Sequence, residues 1–293
     1  MEENYKISET EDKLFPPKIT LNSRGKLLLL EEPWVMGIIN ITPDSFYPKS
    51  RIPKDKNEIL KKAEEMVLAG AKILDIGGYS SRPGADVISV EEELIRVVPV
   101  IDIIKKEFPE VLLSIDSFRS KVAKEAVENG TDIVNDISGG ELDLEMIPIV
   151  GQLNVPYICM HMRGNPDNMG SLTKYDDLEK EILNYFNSKI MKCKKFGIKD
   201  VIIDPGLGFA KTLVQNYRIL KNISYFQSIN TPILVGLSRK SMIYKLLGTS
   251  QEEALNGTTA LNMVALMNGA NILRVHDVKE AVETVKLFKQ INA

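Results

Sequence analysis

Between Lys72 and Gly84 the chain reads K-I-L-D-I-G-G-Y-S-S-R-P-G, which sets an acid, a glycine pair, hydroxyls and a guanidinium within a few residues of one another. Short polar groups also end other apolar runs: Asn40, Asp116, Asn135, His161, Asp204, Ser238 with Lys240, and Arg274 with His276. They sort into two chemistries. Asp75, Asp116, Asn135 and Asp204 are acceptors suited to the N–H edge of a flat heterocycle, because a carboxylate takes two parallel N–H donors from a 2-amino-4-oxo pyrimidine ring. Arg82, Lys240, Arg274 and His276 are donors suited to phosphate or carboxylate oxygens. Ser241, opening a helix after the Ser238-Arg239-Lys240 turn, adds backbone N–H groups for an anion. A site with both halves implies an amphoteric substrate, an aminated ring at one end and an anionic group at the other.

Any one of these residues alone is explained by solvent beginning where a strand ends. Surface ends, however, would show lysine, glutamate and threonine at random parity, whereas these are mostly short carboxylates and amides that continue an inward apolar row. Alternation places Met36, Ile38 and Asn40 on one face. The same rule groups Ile73, Asp75 and Gly77; Leu112, Ser114 and Asp116; Ile133 and Asn135; Tyr157, Cys159 and His161; Ile202 and Asp204; Leu234, Gly236, Ser238 and Lys240; and Ile272, Arg274 and His276. Leaving such groups buried without partners would cost roughly 1 to 3 kcal/mol each, so a ligand or mutual pairing must satisfy them.

The elements that position them repeat. Apolar runs at 34–41, 72–76, 111–115, 131–135, 155–160, 199–203, 232–237 and 271–275 predict eight strands, each followed by a helix. Amphipathic segments lie at 90–106, 121–129, 175–196, 252–268 and 278–290. Eight β–α units in about 260 residues predict a (β/α)8 TIM barrel, whose active sites sit at the C-terminal strand ends, and no G-x-G-x-x-G follows a strand. Upstream, I-T-L, N-S-R-G and K-L-L-L-L over 19–30 predict a β-hairpin placed to cap the barrel floor. The expected organisation is a flexible extension over 1–17, a hairpin over 18–33 and a catalytic barrel over 34–293.

Composition narrows the function classes. The 293 residues are 44% hydrophobic and 26% charged, with a net charge of −3, so no basic excess suggests a nucleic-acid partner. No apolar run reaches the roughly 20 residues that span a bilayer, and the acidic start is unlike a signal peptide, which predicts a cytoplasmic protein. Cys159 and Cys193 fit a reducing compartment better than a disulfide framework. Trp34 is expected to pack at the barrel entry, Met160, Met162, Met263 and Met267 to fill core, and Lys192, Lys194 and Lys195 to form a solvated helix end. His161 either approaches the ligand or is a hydrogen-bonded structural histidine. Asp44 and Ser45 either order the first loop or form a turn.

The same residues carry a family resemblance. M-G-I-I-N-I-T-P-D-S-F (36–46), D-I-G-G-Y-S-S-R-P-G (75–84), S-I-D-S (114–117), V-N-D-I-S-G (134–139), D-P-G-L-G-F (204–209), G-L-S-R-K-S (236–241) and L-R-V-H-D (273–277) resemble, in order, the motifs of the dihydropteroate synthases. The resemblance implies a Mg²⁺-dependent transferase of folate biosynthesis and a sulfonamide target. Its reaction is the condensation of 4-aminobenzoate with (7,8-dihydropterin-6-yl)methyl diphosphate. By motif position, pterin diphosphate would be bound by Ser81, Asp116, Asn135, Asp204, Lys240, Arg274 and His276. The 4-aminobenzoate pocket would be Ser81, Arg82, Pro83, Phe209 and Ser241. The metal would sit on Asn40, and Lys240, Arg274, His276 and Asp75 would act in catalysis, with Arg274 and His276 on the leaving diphosphate. A homodimer through the outer helices is also implied.

Two loops depart from the family's pattern. The usual G-E-S-T-R-P is Gly78-Tyr79-Ser80-Ser81-Arg82-Pro83, and the usual F-G-K-T is Phe209-Ala210-Lys211-Thr212, so both changes fall in loops of the aminobenzoate pocket. Two rival readings keep the pterin cleft: a methyltransferase acting on methyltetrahydrofolate, and a pterin-binding paralogue without turnover. Against the first, the Asn40 loop and the anion sites at 81–82 and 238–240 would lack a purpose.

Overall fold

The computed structural model describes residues 19–41, 56–80 and 86–292. The expected extension over 1–17, Asp44, Ser45 and the predicted ligands Ser81, Arg82 and Pro83 lie outside the described residues. Strands β1 (Ile19–Ser23) and β2 (Lys26–Leu30) form the antiparallel hairpin. Its turn is Arg24-Gly25, with φ of 49° and 90°, the pair of left-handed conformations that matches the twist of a two-residue hairpin. Asn22 and Ser23 therefore belong to the strand and not to the turn.

Among the described residues, eight further strands form one parallel sheet: β3 (Trp34–Asn40), β4 (Ile73–Gly77), β5 (Leu112–Asp116), β6 (Ile133–Asp136), β7 (Tyr157–Met160), β8 (Val201–Asp204), β9 (Leu234–Val235) and β10 (Ile272–Val275). Their order is β8-β7-β6-β5-β4-β3-β10-β9. A single parallel bridge from Ile203 to Ile233 joins β8 to the residue before β9 and closes the TIM barrel. The seventh predicted strand, expected over 232–237, is only Leu234–Val235, because Pro232 lacks a donor and the chain turns after Gly236.

The outer ring runs α1 (Lys56–Ala69), α2 (Val90–Glu107), α3 (Ser120–Glu128), α4 (Met146–Leu153), α5 (Leu178–Lys195), α6 (Leu213–Lys221), α7 (Ser241–Leu247), α8 (Leu255–Met267) and α9 (Val278–Ile291). Capping follows local chemistry. Ser89 accepts from the Glu92 backbone N–H to start α2, and Thr212 and Gln215 form a reciprocal capping box at α6.

Two apolar layers hold the barrel. The outer one lies between sheet and helices and contains Ile39, Leu74, Ile115, Val134, Ile203, Leu273 and their helical partners. The inner one takes one side chain from each barrel strand: Met36, Ile73, Leu112, Ile133, Ile158, Ile202, Leu234 and Ile272. Leu21, Leu28 and Leu30 of the hairpin, with Trp34, complete that inner cluster from below, so the hairpin caps the floor. Leu27 and Leu29, on the hairpin's opposite parity, are exposed.

The inner layer corrects one parity. Tyr157 and Cys159 belong to the outer core, and Ile158 faces inward beside Ile202. The strand ends at Met160, so counting back from His161 ran the alternation through a residue that is no longer in it. Met263 is only half-buried and Met267 is 54% exposed, so neither fills core as expected, whereas Met160 and Met162 do.

Leu21 is 1% exposed at the centre of the floor plug. Leu21→Ala is expected to cost about 2–5 kcal/mol, read as a lower urea midpoint, with turnover at 25 °C unchanged because the site lies at the opposite end of the barrel.

Candidate active site

For every barrel strand but β7, the inward row that begins in the apolar floor ends at the C-terminal mouth in the polar group expected there. Asp75 of β4 is the deepest. Its Oδ2 accepts from Arg274 Nε at 2.6 Å and from Asn135 Nδ2 at 3.1 Å, while Oδ1 is buried with no partner among the described residues. Arg274 Nη2 also donates to Asp116 Oδ2 at 2.5 Å. One guanidinium thus ties together three strands, β4, β5 and β10.

Arg274 therefore sits among the acceptors, and the donor and acceptor halves sorted by residue type interleave here. Burial works against the charge of Arg274, but Asp75 and Asp116 outweigh it and hold its pKa above the ordinary value. Burial pushes Asp116 up to about 7, with Arg274 opposing the rise and Asp75 adding to it. Asp204 is also raised by burial, against the pull of Lys240. Its Oδ1 accepts from the Gly206 backbone N–H at 2.8 Å. Gly236 leaves open space beside its Oδ2, since a Cβ there would stand 4.0 Å away.

Lys240, the residue before α7, donates to the Leu207 carbonyl at 2.5 Å, and its ammonium stands 4.8 Å from the centre of the Phe209 ring. Burial lowers its pKa to about 8, with Asp204 opposing. Ser241 opens α7 as expected. Arg239 does not offer the anion contact expected of the 238–240 turn. It lies in the left-handed region, with φ of 53°, and its guanidinium makes a two-pronged ion pair with Asp277 at 2.8 Å on each side.

His276 is held with Nδ1 3.0 Å from Ser238 Oγ, while that oxygen also accepts from the His276 backbone N–H at 3.2 Å. In the tautomer where the Ser238 hydroxyl donates to Nδ1, the ring proton is on Nε2. Burial and then Arg274 lower its pKa to about 4, so the ring is a neutral N–H donor at pH 7. Asn40 ends β3 opposite Gly77, and a Cβ on Gly77 would lie 3.5 Å from Asn40 Oδ1 and 3.7 Å from Asp116 Oδ2. The missing side chain keeps that corner of the mouth open.

Residues that sequence reading did not assign surround these groups. Asp136, on the outward parity of β6, accepts from Ser138 N and Oγ, Gly140 N and Tyr157 Oη, each at 2.7 Å, and so fixes the loop after Asn135. Glu93 of α2 is buried beneath Gly78 and pairs with Arg119 at 2.9 Å. Arg119 lies 5.2 Å from the Tyr79 ring, which meets Phe118 edge-on. A small apolar cluster of Ile137, Met160, Met162, Met169 and Ala210, with Phe118 and Phe209 against it, floors the mouth beside Lys240. His161 follows the structural alternative. It lies against Tyr185 and Phe186 on the helix side and contacts Lys211.

Comparison with known proteins agrees with this geometry. The family described as pterin binding enzyme matches residues 36–276. The chain is 42% identical to the dihydropteroate synthase of Escherichia coli (strain K12) over 271 residues, covering 92% of this chain and 95% of that protein. It superposes on the Yersinia pestis dihydropteroate synthase solved as a sulfonamide drug complex with a TM-score of 0.87 and 38% identity, over 94% of this chain and 99% of the other. The Xanthomonas albilineans enzyme, solved with 4-aminobenzoic acid, gives a TM-score of 0.86 at 34% identity over the same shares. With the fold, the ordered motifs and the strand-end constellation all in agreement, the chain belongs to the dihydropteroate synthase family of pterin-binding enzymes.

Proposed function

We propose that the chain condenses 4-aminobenzoate with (7,8-dihydropterin-6-yl)methyl diphosphate, releasing 7,8-dihydropteroate and diphosphate, as a cytoplasmic transferase of folate biosynthesis. The observation that carries this reading is the trio Asp116, Asn135 and Asp204 around one mouth. Asp116 Oδ1, Asn135 Oδ1 and Asp204 Oδ2 are all left over from the pairs described above, and together they suit the amino-pyrimidine edge of a pterin. Lys240 lies beside Asp204 as a donor for the ring's carbonyl oxygen. The site holds at least two small molecules, and sulfonamides, bound by the Yersinia pestis relative, would compete in the aminobenzoate half.

In the reaction the bond from the methylene carbon to the diphosphate oxygen breaks and its electron pair leaves with the oxygen. The positive charge passes into the pterin, where the Asp75, Asp116 and Asp204 carboxylates stabilise it. The aromatic amine then forms the new C–N bond, and the resulting arylammonium is acidic enough to lose its proton without a dedicated base. Orientation of the amine against the methylene supplies much of the rate. Arg274, through the guanidinium edge not used by the two carboxylates, and His276, through Nε2–H, are the donors for the departing diphosphate.

Asn40 would hold Mg²⁺. Among the described residues no group of three or more His, Cys, Asp or Glu is placed to hold a metal ion. Mg²⁺ commonly keeps several waters and takes few protein oxygens beside substrate phosphates, so the Asn40 amide oxygen would be its protein ligand next to the substrate's diphosphate. A metal bound there would neutralise charge on the leaving group.

We also infer a homodimer. α8 exposes Val264 and Met267, and the neighbouring α7 exposes Leu246 and Leu247, each 58%. A second copy of the chain is the cover we infer for these exposed apolar side chains.

Purified protein with both substrates and Mg²⁺ is expected to release diphosphate only when the aromatic amine is present, and no release with both present contradicts the assignment. The kcat/KM for pterin diphosphate should rise through about pH 7, as Asp116 ionises, and fall above about pH 8, as Lys240 loses its proton. Asp116→Asn is expected to abolish the acid limb and lower kcat/KM by roughly tenfold to a hundredfold. Sedimentation equilibrium should give twice the 32.8 kDa chain mass, and Met267→Asp should return it to one chain.

A further inference from the structure

Lys211 is buried outside the constellation described above, yet all three protons of its ammonium are directed at acceptors. Nζ lies 3.0 Å from His161 Nδ1, 3.0 Å from the Gly206 carbonyl and 3.1 Å from the Phe209 carbonyl. A fully buried ammonium persists only where its protons are so matched. With Lys211 protonated, His161 Nδ1 is the acceptor and that ring's proton is on Nε2; burial lowers the Lys211 pKa to about 7, with Asp204 opposing. Burial and the neighbouring Lys211 both lower the pKa of His161, which keeps it neutral.

The loop from Asp204 to Thr212 is gripped from two sides. On the inner side Lys240 takes the Leu207 carbonyl. On the outer side Lys211 takes the Gly206 and Phe209 carbonyls, which bracket Leu207 and Gly208. The remaining polar groups are held by Asn216, whose Oδ1 accepts from the Gly208 N–H at 2.6 Å, and by Tyr175, which donates to the Ala210 carbonyl at 2.9 Å. Ala210 has φ of 49°, a conformation that costs a side-chain-bearing residue energy and persists only when its surroundings over-determine it. Asp204 and Lys240 are placed by the end of a strand and the start of a helix, and touch this loop through the Gly206 N–H and the Leu207 carbonyl alone. Phe209 has no such anchor.

We propose that Lys211 is a positioning residue that sets the Phe209 ring, and through it the aminobenzoate half of the site, by clamping the Gly206 and Phe209 carbonyls to His161. The proposal rests on the assignment of Phe209 to that half. It predicts an effect on one substrate and not the other.

In steady-state kinetics with the full chain, Lys211→Met is expected to raise the KM for 4-aminobenzoate about tenfold while the KM for pterin diphosphate stays within about twofold. His161→Leu, which removes only the acceptor, should show a weaker form of the same split. His161→Asn, which puts an amide at the place of Nδ1, should restore it, and this pair decides the matter if Lys211→Met does not fold. Equal rises in both KM values, or a lowered melting midpoint with both KM values unmoved, overturns the proposal. Phe209→Ala serves as the control. If it raises the aminobenzoate KM and the Lys211 and His161 variants do not, the positioning role alone is wrong. If it moves neither KM, the assignment of Phe209 fails and the proposal with it.

Discussion

A single guanidinium between two carboxylates holds the mouth of this barrel together. Arg274 meets Asp75 and Asp116 at 2.6 and 2.5 Å, joining strands that are 199 and 158 residues away along the chain. Three carboxylates around one cleft repel each other and resist burial, and without a fixed cation they would protonate or draw in water. With Arg274 in place the acids stay close and aimed at the cleft. That is a preorganised field for a cation forming on a bound ring. The arginine that neutralises the resting site also lies where a leaving anion is expected.

The rest of the fold keeps that arrangement rigid. Below it, one apolar side chain from each strand packs with the three hairpin leucines and Trp34, so the strands cannot slide without opening the inner layer. Around it, buried polar networks fix the loops: Asp136 the loop after β6, Glu93 and Arg119 the turns after β4 and β5, Arg239 with Asp277 the turn before α7, and Lys211 the loop after β8. In each network charged side chains are paired with one another or with loop backbone, which leaves Asp116 Oδ1, Asn135 Oδ1 and Asp204 Oδ2 at the mouth for ligand.

Much of this was legible in the sequence because a period of two carries both the floor and the mouth. Ile202 and Asp204, or Ile272 and Arg274, are the lower and upper ends of one inward row, and reading one locates the other. The rule failed at β7, where the motif-like histidine lies beyond the last paired residue. Pairings between groups of opposite sign were not legible. Residue type alone put Arg274 with the anion donors, whereas proximity to Asp75 and Asp116 sets its partners. Lys211 sat in a motif noted only for its neighbour Ala210, and nothing in its spacing signalled burial. The exposed Val264 and Met267 of α8 were equally silent, since an apolar side chain on a helix reads the same whether its own fold or a second chain covers it.

The most direct measurement is a crystal structure of the protein soaked with a dihydropterin. The ring should lie flat in the mouth with its amino-pyrimidine edge on Asp116, Asn135 and Asp204, its carbonyl oxygen toward Lys240, and Arg274 still bound to Asp75. A pterin seated elsewhere, or one that reaches the mouth without touching those three acceptors, would contradict the assignment of this constellation as the ring site.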